Sequence, residues 1–196
     1  MNVVVVLAHP SAGSLNHAAF DTAVTSLTRA GHHVTALDLY AIDYPALMSF
    51  DDRHAYHGDT PIIDEMTLQH ASAVKTADAL VFIYPTWWSS LPAMLKGWLE
   101  KVMAPGIAFV FDEATGKVKP GLKNVRRIIG ISTYASPLLA VKAANDNGRR
   151  TLLRALRLCT GVRTRSKWIG LYSVPASTPE QRTAFLSKID AAMAAL

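Results

Sequence analysis

Hydrophobic residues along the chain follow two alternating spacings. Continuous apolar runs rich in β-branched residues are typical of strands that are buried on both faces of a parallel sheet. Between these runs, apolar residues recur every three or four positions, as they do on the buried side of a helix. The predicted strands cover residues 3–7, 33–39, 79–84, 127–132 and 167–174, and the predicted helices cover 15–30, 61–77, 92–103, 138–159 and a stretch after Thr178. This alternation predicts a parallel sheet with helices on both faces.

Three segments interrupt the alternation. Residues 43–61 are polar and are predicted to be irregular, whereas the short apolar run 107–111, followed by the turn-forming residues 112–116, predicts a hairpin. The helix over 138–159 is interrupted at 145–148, where asparagine, aspartate and glycine cluster. We find no internal repeat and no linker, so we predict a single domain over residues 1–196.

Composition narrows the class of protein. Half of the 196 residues are hydrophobic and 18% are charged, which excludes a disordered or low-complexity chain. The longest apolar run, residues 3–8, is far shorter than the roughly 20 residues of a membrane span, so no span is predicted. The single cysteine, Cys159, cannot form an internal disulfide, and no secretory signal is evident. Both observations predict a cytoplasmic protein.

In open parallel sheets, ligands bind beyond the carboxyl ends of the strands, where the strand order reverses. The loops at this edge are residues 8–14, 85–91 and 132–137. The first loop lacks both common nucleotide-binding glycine motifs. It does offer His9, Ser14 and Asn16 at the start of a helix whose N-terminal amides can hold a phosphate. A simpler interpretation is that Ser14 only caps this helix.

The other two loops contain aromatic and small polar residues. Trp87 and Trp88 are adjacent and cannot both face one core, so a flat aromatic ligand would stack on them. Alternatively, one of them anchors the following helix. The loop after the fourth strand adds Thr133 and Tyr134. Together the three loops predict a site for a planar heterocycle with a phosphate tail, a description that a flavin fits.

Other chemistries have weaker support. His54 and His57 have no third ligand nearby in the sequence, so we predict no metal site. Residues 130–134 fall one residue short of the G-x-S-x-G motif of hydrolases. Cys159 lies among leucines and is interpreted as a buried small hydrophobe rather than as a nucleophile.

The sequence resembles the flavodoxin-like NAD(P)H:quinone reductase family, which comprises two-electron quinone reductases and their bacterial relatives. Matching segments occur in family order and spacing across residues 3–135. They are residues 7–10 (LAHP), 14–16 (SLN), 31–32 (GH), 38–40 (DLY), 84–88 (YPTWW), 92–102 (PAMLKGWLEKV) and 106–109 (GIAF). The block P-x-x-W…P-A-x-L-K-G-W is the specific part of the match.

This resemblance implies a flavodoxin-like three-layer sandwich whose five-stranded parallel sheet has the order 2-1-3-4-5. It also implies a homodimer with the site at the subunit interface. The implied activity is that of a flavin-dependent NAD(P)H:quinone oxidoreductase, with FAD or FMN as cofactor and NAD(P)H as co-substrate. Two electrons would pass as hydride from NAD(P)H through the flavin to a quinone or a similar acceptor.

The resemblance also implies roles for individual residues. Those that would contact the phosphate and ribityl portion of the flavin are His9, Ser14, Leu15 and Asn16. Those that would line its isoalloxazine ring are Pro85, Thr86, Trp87 and Trp88, with Thr133 and Tyr134 at the polar edge of the ring. The sequence departs from the family at Ala135, where glycine is usual. The tyrosine and histidine that assist hydride transfer in mammalian members have no counterpart after Pro137, so we name no catalytic residue.

The distribution of charge leaves alternatives open. The formal charge is +5, but residues 1–116 hold 5 basic and 12 acidic residues, whereas residues 117–196 hold 15 basic and 3 acidic ones. Arg150, Arg154 and Arg157 have the spacing of one helical stripe. This stripe is interpreted as a solvated face, as a surface for an acidic partner or the phosphates of NAD(P)H, or as a nucleic-acid site. No nucleic-acid motif accompanies it, so we predict no nucleic-acid partner.

Two further functions are consistent with the same residues. Some relatives of this family are ancillary subunits of potassium efflux systems, in which case the basic helix would be a docking surface. A flavodoxin-like protein that binds no flavin is the other alternative, and Ala135 favours it.

Overall fold

The computed structural model describes residues 1–112 and 114–196, and five of its strands form one parallel sheet. The strands are β1 (Asn2–Leu7), β2 (His33–Asp38), β3 (Ala79–Pro85), β4 (Phe109–Phe111), β5 (Val118–Pro120), β6 (Arg127–Thr133) and β7 (Arg165–Leu171). The sheet order is β2-β1-β3-β6-β7. When the strands of this sheet alone are numbered, the order is 2-1-3-4-5, so the prediction is confirmed.

Helices cover both faces of this sheet. They are α1 (Leu15–Arg29), α2 (Phe50–Ala55), α3 (Glu65–Thr76), α4 (Ala93–Val102), α5 (Leu138–Ala143), α6 (Asn147–Arg150) and α7 (Pro179–Ala194). α6 continues into a π-helical turn, Thr151–Ala155, and a 3-10 turn, Leu156–Cys159. A further 3-10 turn, Val174–Ala176, precedes α7.

The continuous apolar runs of the sequence explain the three layers. Successive residues of a strand point to opposite faces, so Val3 and Val5 pack with α1 and α7, while Val4 and Val6 pack with α3 and α4. A strand in the middle of such a sheet needs apolar residues at both sets of positions. This requirement places β1 and β3, the two most continuously apolar runs, at the centre of the sheet.

The structure corrects two predicted boundaries. Residues 43–61 are not irregular throughout, because α2 lies within them and begins at a capping box formed by Ser49 and Asp52. The last strand ends at Leu171 rather than at 174, since Ser173 adopts a left-handed backbone conformation with φ of +54°. The predicted hairpin is confirmed as the antiparallel pair of β4 and β5, with Glu113 of its connection outside the described residues.

Buried polar contacts fix α4 against its neighbours. Trp98 is completely buried, and its Nε1 donates a hydrogen bond to Nδ1 of His70 at 3.1 Å. Burial lowers the pKa of His70, which favours the neutral ring that can accept this bond. One turn on, Lys101 donates to the carbonyl of Pro45 at 3.0 Å and pairs with Asp52 at 3.2 Å.

Within the described residues, no helix combines the length and apolarity that a membrane crossing requires. In the same part of the chain, no cluster of three or more histidine, cysteine, aspartate or glutamate residues is placed to bind a metal ion. Cys159 is only partly buried, and its surroundings raise the pKa of its thiol, which disfavours the nucleophilic thiolate.

Candidate functional site

The carboxyl ends of β1, β3 and β6 lie side by side. Leu7 pairs with Ile83, and Ile83 pairs with Ile131 on the other side, so the loops that follow these strands leave the sheet at one edge. From β1 the chain turns to β2 on one flank, whereas β3 lies on the opposite flank. The strand order therefore reverses between β1 and β3, the position at which ligands bind in open α/β sheets.

The first loop ends in a well-formed helix cap. The hydroxyl of Ser14 accepts a hydrogen bond from the backbone N–H of His17 at 3.2 Å, so the capping interpretation of Ser14 is confirmed. The first N–H groups of any helix have no partner within the helix. No acidic residue occupies the first turn of α1, although Asp38 pairs with His17 at 2.9 Å. The helix N-terminus thus keeps amides and a partial positive charge available for an anion.

Asn16 connects the first loop to the end of β6. It is 3% exposed, and its Nδ2 donates to Oγ1 of Thr133 at 2.9 Å. Its Oδ1 is also buried and has no hydrogen-bond partner among the described residues. A buried polar atom without a partner is unusual, and here it lies beside the helix N-terminus, where a ligand hydroxyl would satisfy it.

The loop after β3 is joined to β6 in a similar way. The backbone N–H of Thr86 donates to the carbonyl of Thr133 at 2.8 Å, and the hydroxyls of Thr86 and Ser132 lie 2.9 Å apart. Pro85 is buried beneath this contact. The three loops that the sequence singled out therefore meet through specific hydrogen bonds.

The two adjacent tryptophans form the tip of a tight turn. Trp87 and Ser90 exchange backbone hydrogen bonds, and between them Trp88 and Ser89 both adopt left-handed conformations, with φ of +48° and +56°. Two positive φ angles define a type I′ turn, which strongly favours asparagine and glycine. A tryptophan in this conformation is strained, and such strain clusters at functional sites.

Both tryptophans point away from the core. Trp88 is fully exposed and Trp87 is 42% exposed, with its ring 6.2 Å from that of His9. The expectation that one of them anchors the next helix is wrong, because Trp98 within α4 takes that place in the core. Burial of the His9 ring lowers its pKa, so it presents a neutral imidazole to the same region.

A cleft of about 270 Å³ opens beside this turn. Its lining consists of Thr86, Trp88, Ser89, Tyr134, Ala135, Ser136, Ala140, Val141 and Ala144. Of the predicted ring-binding residues, Thr86, Trp88 and Tyr134 line the cleft, whereas Pro85, Trp87 and Thr133 are their neighbours in the chain and do not line it. The predicted phosphate-binding residues His9, Ser14, Leu15 and Asn16 do not line this cleft. They lie in the loop after β1 and at the start of α1, where Asn16 contacts Thr133 and His9 contacts Trp87. Ala135 is exposed at the cleft wall, where its methyl group replaces the hydrogen of a glycine.

Sequence analysis did not identify Asp146 as a site residue, although its carboxylate holds the side chain of Tyr134 in place by a hydrogen bond. The Tyr134 hydroxyl donates to Oδ1 of Asp146 at 3.0 Å, and the Tyr134 ring stacks on Tyr172 at 4.5 Å. Burial, reinforced by the charge of Asp146, raises the pKa of Tyr134, so this phenol stays protonated. Asp146 has φ of +44° and follows Asn145 at +71°. The cluster of asparagine, aspartate and glycine at 145–148 was the available signal, since these residues tolerate left-handed backbone.

The same segment holds the tryptophan turn in place. The backbone N–H of Asn147 donates to the carbonyl of Ser89 at 3.0 Å. A Cβ added at Gly148 would lie 3.0 Å from the hydroxyl of Tyr84 and 3.1 Å from the backbone of Ser90. Glycine at this position lets the start of α6 approach the turn closely, because a larger residue would require the neighbouring atoms to move by a few tenths of an ångström.

Replacing Tyr134 with phenylalanine tests the buried hydrogen bond. Asp146 is only 8% exposed, so loss of its donor leaves a poorly solvated carboxylate. We expect the free energy of unfolding to fall by about 1–3 kcal/mol. Denaturant unfolding of Tyr134→Phe measures this change. The same substitution in an Asp146→Asn background should cost less, because the charge has gone; equal losses in both backgrounds would show that the carboxylate does not need the phenol.

These residues fit a flavin. The exposed tryptophan turn and the cleft suit a flat ring system, and the N-terminus of α1 suits a phosphate. Asn16, in the first turn of α1, has a buried Oδ1 without a hydrogen-bond partner among the described residues, an acceptor that a ribityl hydroxyl would satisfy. An aromatic surface, a hydrogen-bond acceptor and a helix N-terminus thus match the ring, the ribityl chain and the phosphate of the cofactor.

The family model described as "Flavodoxin-like fold" matches residues 1–186, so the chain belongs to the flavodoxin-like family. Among curated proteins, NAD(P)H dehydrogenase [quinone] 1 of Rattus norvegicus is 29% identical over 148 residues, which cover 68% of this chain and 53% of the relative. The chain spans about half the length of the curated relatives it matches first.

Two solved structures have the same fold over essentially the whole chain. Smu.1420 from Streptococcus mutans has a TM-score of 0.84 at 24% identity, with all of both chains covered. An FMN-dependent NADH-azoreductase from Bacillus anthracis in complex with FMN has a TM-score of 0.77 at 16% identity, with 100% of this chain and 99% of that one covered. At these identities the likeness establishes the fold.

Proposed function

We propose that this protein is a flavin-dependent oxidoreductase that transfers two electrons from NAD(P)H to a quinone or a similar acceptor. The observation that carries the proposal is the meeting of three loops at the strand-order reversal. There a strained, exposed tryptophan turn and the N-terminus of α1 flank a buried, unpartnered amide oxygen. This combination offers one surface for an aromatic ring, one group for a polyol and one for a phosphate.

The names of similar proteins support the proposal. The Rattus norvegicus relative is named as a quinone-reducing NAD(P)H dehydrogenase, and the Bacillus anthracis neighbour is described as FMN-dependent. Both names include a nicotinamide dinucleotide; the first adds a quinone and the second adds FMN. We combine these elements for this chain, and the cofactor that we propose is FMN or FAD.

Each part of the site would have a distinct task. The amides at the start of α1 would bind the phosphate, and Asn16 Oδ1 would accept a hydrogen bond from the ribityl chain. Trp87 and Trp88 would cover the ring, while Thr86 and Tyr134 would position its polar edge. A bound flavin supplies the ability to accept and to release a hydride. The protein contributes binding and the alignment of two planar molecules in contact.

We also propose that two copies of the chain form a cytoplasmic homodimer. Leu47 and Phe50 are 88% and 84% exposed, and Trp88 is fully exposed. Large apolar side chains of this kind are costly in water and typical of interaction surfaces. Pairing of two copies would cover them and would enclose the open side of the cleft.

Purification without added cofactor tests the proposed function. We expect the protein to show flavin absorbance and, on denaturation, to release FMN or FAD identifiable by its mass. We further expect oxidation of NADPH or NADH that depends on an added quinone. A colourless protein that also declines both flavins in excess would contradict the proposal and favour a flavin-free flavodoxin-like protein.

A further inference from the structure

A second cleft, of about 480 Å³, lies beside the cleft of about 270 Å³ described above and is lined mainly by cationic residues. We call the smaller one the flavin cleft and this one the basic cleft. Its lining consists of Lys142, Asn145, Asp146, Arg149, Arg150, Leu153, Arg154 and Arg157. Five of these eight residues are cationic. The predicted stripe of Arg150, Arg154 and Arg157 is therefore confirmed as one surface, but that surface is concave and includes two further cations.

The cationic side chains of this basic cleft form no salt bridge with a described residue. All five are exposed, and none lies within 4.0 Å of a carboxylate in the part of the chain that the structure describes. The one acidic residue of the lining, Asp146, is buried and accepts its hydrogen bond from Tyr134. Like charges that line one cleft repel one another. A bound anion would relieve this repulsion, so the cleft favours an anionic ligand.

Two features give the basic cleft a defined shape. The guanidinium carbon of Arg149 lies 5.7 Å from the ring centre of Trp168, a cation–π contact that restrains the side chain. The helix that bears Arg154 is a π-helical turn, Thr151–Ala155. Such turns are rare and are often found at functional sites. Here the turn separates α6, which bears Arg150, from the 3-10 turn Leu156–Cys159, which bears Arg157.

The basic cleft and the flavin cleft share one segment of chain. Ala140, Val141 and Ala144 line the flavin cleft, whereas Lys142 and Asn145 line the basic one. Because the residues that line the two clefts alternate within 140–145, the clefts adjoin and one extended ligand can occupy both. A nicotinamide dinucleotide has this form, with a flat ring at one end and phosphates towards the other.

We propose that the basic cleft binds the 2′-phosphate of NADPH and so makes the protein prefer NADPH to NADH; this inference rests on the proposed function. The two dinucleotides differ only in that phosphate. Four of the five cations are arginines, whose planar guanidinium groups bind phosphate through paired hydrogen bonds. Arginine is also the residue that accommodates this phosphate in other dinucleotide sites. A recess of this size suits a small ligand better than the flat surface of a protein partner.

Binding of two nucleotide fragments tests the proposal without any turnover. Titration calorimetry compares adenosine 2′,5′-bisphosphate, which has the diagnostic phosphate, with adenosine 5′-monophosphate, which lacks it. We expect the wild-type protein to bind the bisphosphate at least about tenfold more tightly, because each charge-assisted phosphate contact is strong. This preference should weaken as salt is added.

The variant Arg150→Gln/Arg154→Gln should lose the preference, and its KM for NADPH should rise towards that for NADH. The matched control is Arg163→Gln/Lys167→Gln, which removes two exposed positive charges outside the cleft and should keep the preference. Equal binding of the two fragments by the wild-type protein, or an unchanged preference in the first variant, would overturn the proposal.

These outcomes are separable from a failure of the proposed function. The first variant should retain its flavin, because neither arginine lines the flavin cleft. A protein that binds no flavin but still prefers the bisphosphate would refute the oxidoreductase and leave the phosphate site standing. If the protein binds flavin but shows no preference between the fragments, the proposed oxidoreductase function stands and the phosphate site is refuted. The arginines would then be assigned to an acidic protein partner.

Discussion

The variant Trp87→Ala/Trp88→Ala is expected to be purified largely without flavin while keeping its fold. Neither side chain is buried, with Trp87 42% exposed and Trp88 fully so, and their loss removes little from the core. A ligand ring would cover one face of each. Covering roughly 80 Å² of apolar surface contributes about 2 kcal/mol, so each tryptophan lost should raise the flavin dissociation constant about 30-fold.

The flavin absorbance of the purified protein, together with its circular dichroism and thermal unfolding, separates a binding effect from a folding effect. Phe111→Ala is a suitable control, since it removes an exposed aromatic side chain from β4, away from the site. Trp88→Gly should stabilise the turn, because glycine adopts a positive φ without strain, yet still weaken flavin binding. Full flavin retention by the double variant would remove both tryptophans from the site.

The location of the site was predictable because it depends on features that a linear sequence displays. Continuous apolar runs at β1 and β3 identify the centre of a parallel sheet, and the loops after them must then lie at one edge. Trp87 and Trp88 stand out because two adjacent tryptophans cannot share a core. The positions of these residues relative to the sheet follow from topology alone.

The internal construction of the site was not predictable in this way. The hydrogen bond from Tyr134 to Asp146 joins two segments through a pair of left-handed residues. Asparagine, aspartate and glycine permit that conformation but do not require it. The positive φ of Trp88 contradicts its local preference, and it occurs in a turn that is closed by the Trp87–Ser90 hydrogen bonds and contacted by Asn147. Local sequence is a poor guide where tertiary contacts override it.

The arrangement of the basic residues shows the same limit. Helical spacing indicated a stripe of Arg150, Arg154 and Arg157, and the structure places them together. A stripe on a regular helix is convex, however, whereas this surface is a recess lined from both sides of the left-handed residues Asn145 and Asp146, by Lys142 of α5 and by the arginines of the segment 147–159. Whether charges stand on a ridge or in a cleft depends on packing between segments, which spacing within one helix does not contain.

The family-specific block at residues 84–102 combines two different tasks. Its first part forms the tryptophan turn, whereas its second part lies in α4. There Gly97 and Trp98 are buried in the core and Lys96 is exposed, and Ala46 packs against Gly97. The family-specific block thus contains residues that pack the core as well as residues of the candidate site.

Gly97→Ala should therefore destabilise the protein strongly. An ideal Cβ at this position would lie 2.0 Å from the carbonyl oxygen of Ala46 and 2.8 Å from its carbonyl carbon. The backbone cannot easily retreat, because Lys101 holds the neighbouring carbonyl of Pro45 at 3.0 Å. Alanine gains up to about 1 kcal/mol in helix propensity over glycine, but forced overpacking of a rigid core costs about 1–3 kcal/mol or more.

We expect a net loss of roughly 2 kcal/mol, which corresponds to a fall in Tm of about 4–8 °C for a chain of this size. Thermal unfolding followed by circular dichroism measures it. Gly13→Ala provides the matched control, since a Cβ there meets nothing within 4 Å, and its Tm should stay close to that of the wild type. An unchanged Tm in Gly97→Ala would mean that α4 and the segment at Ala46 are not in close contact in solution, which would contradict the packing described here.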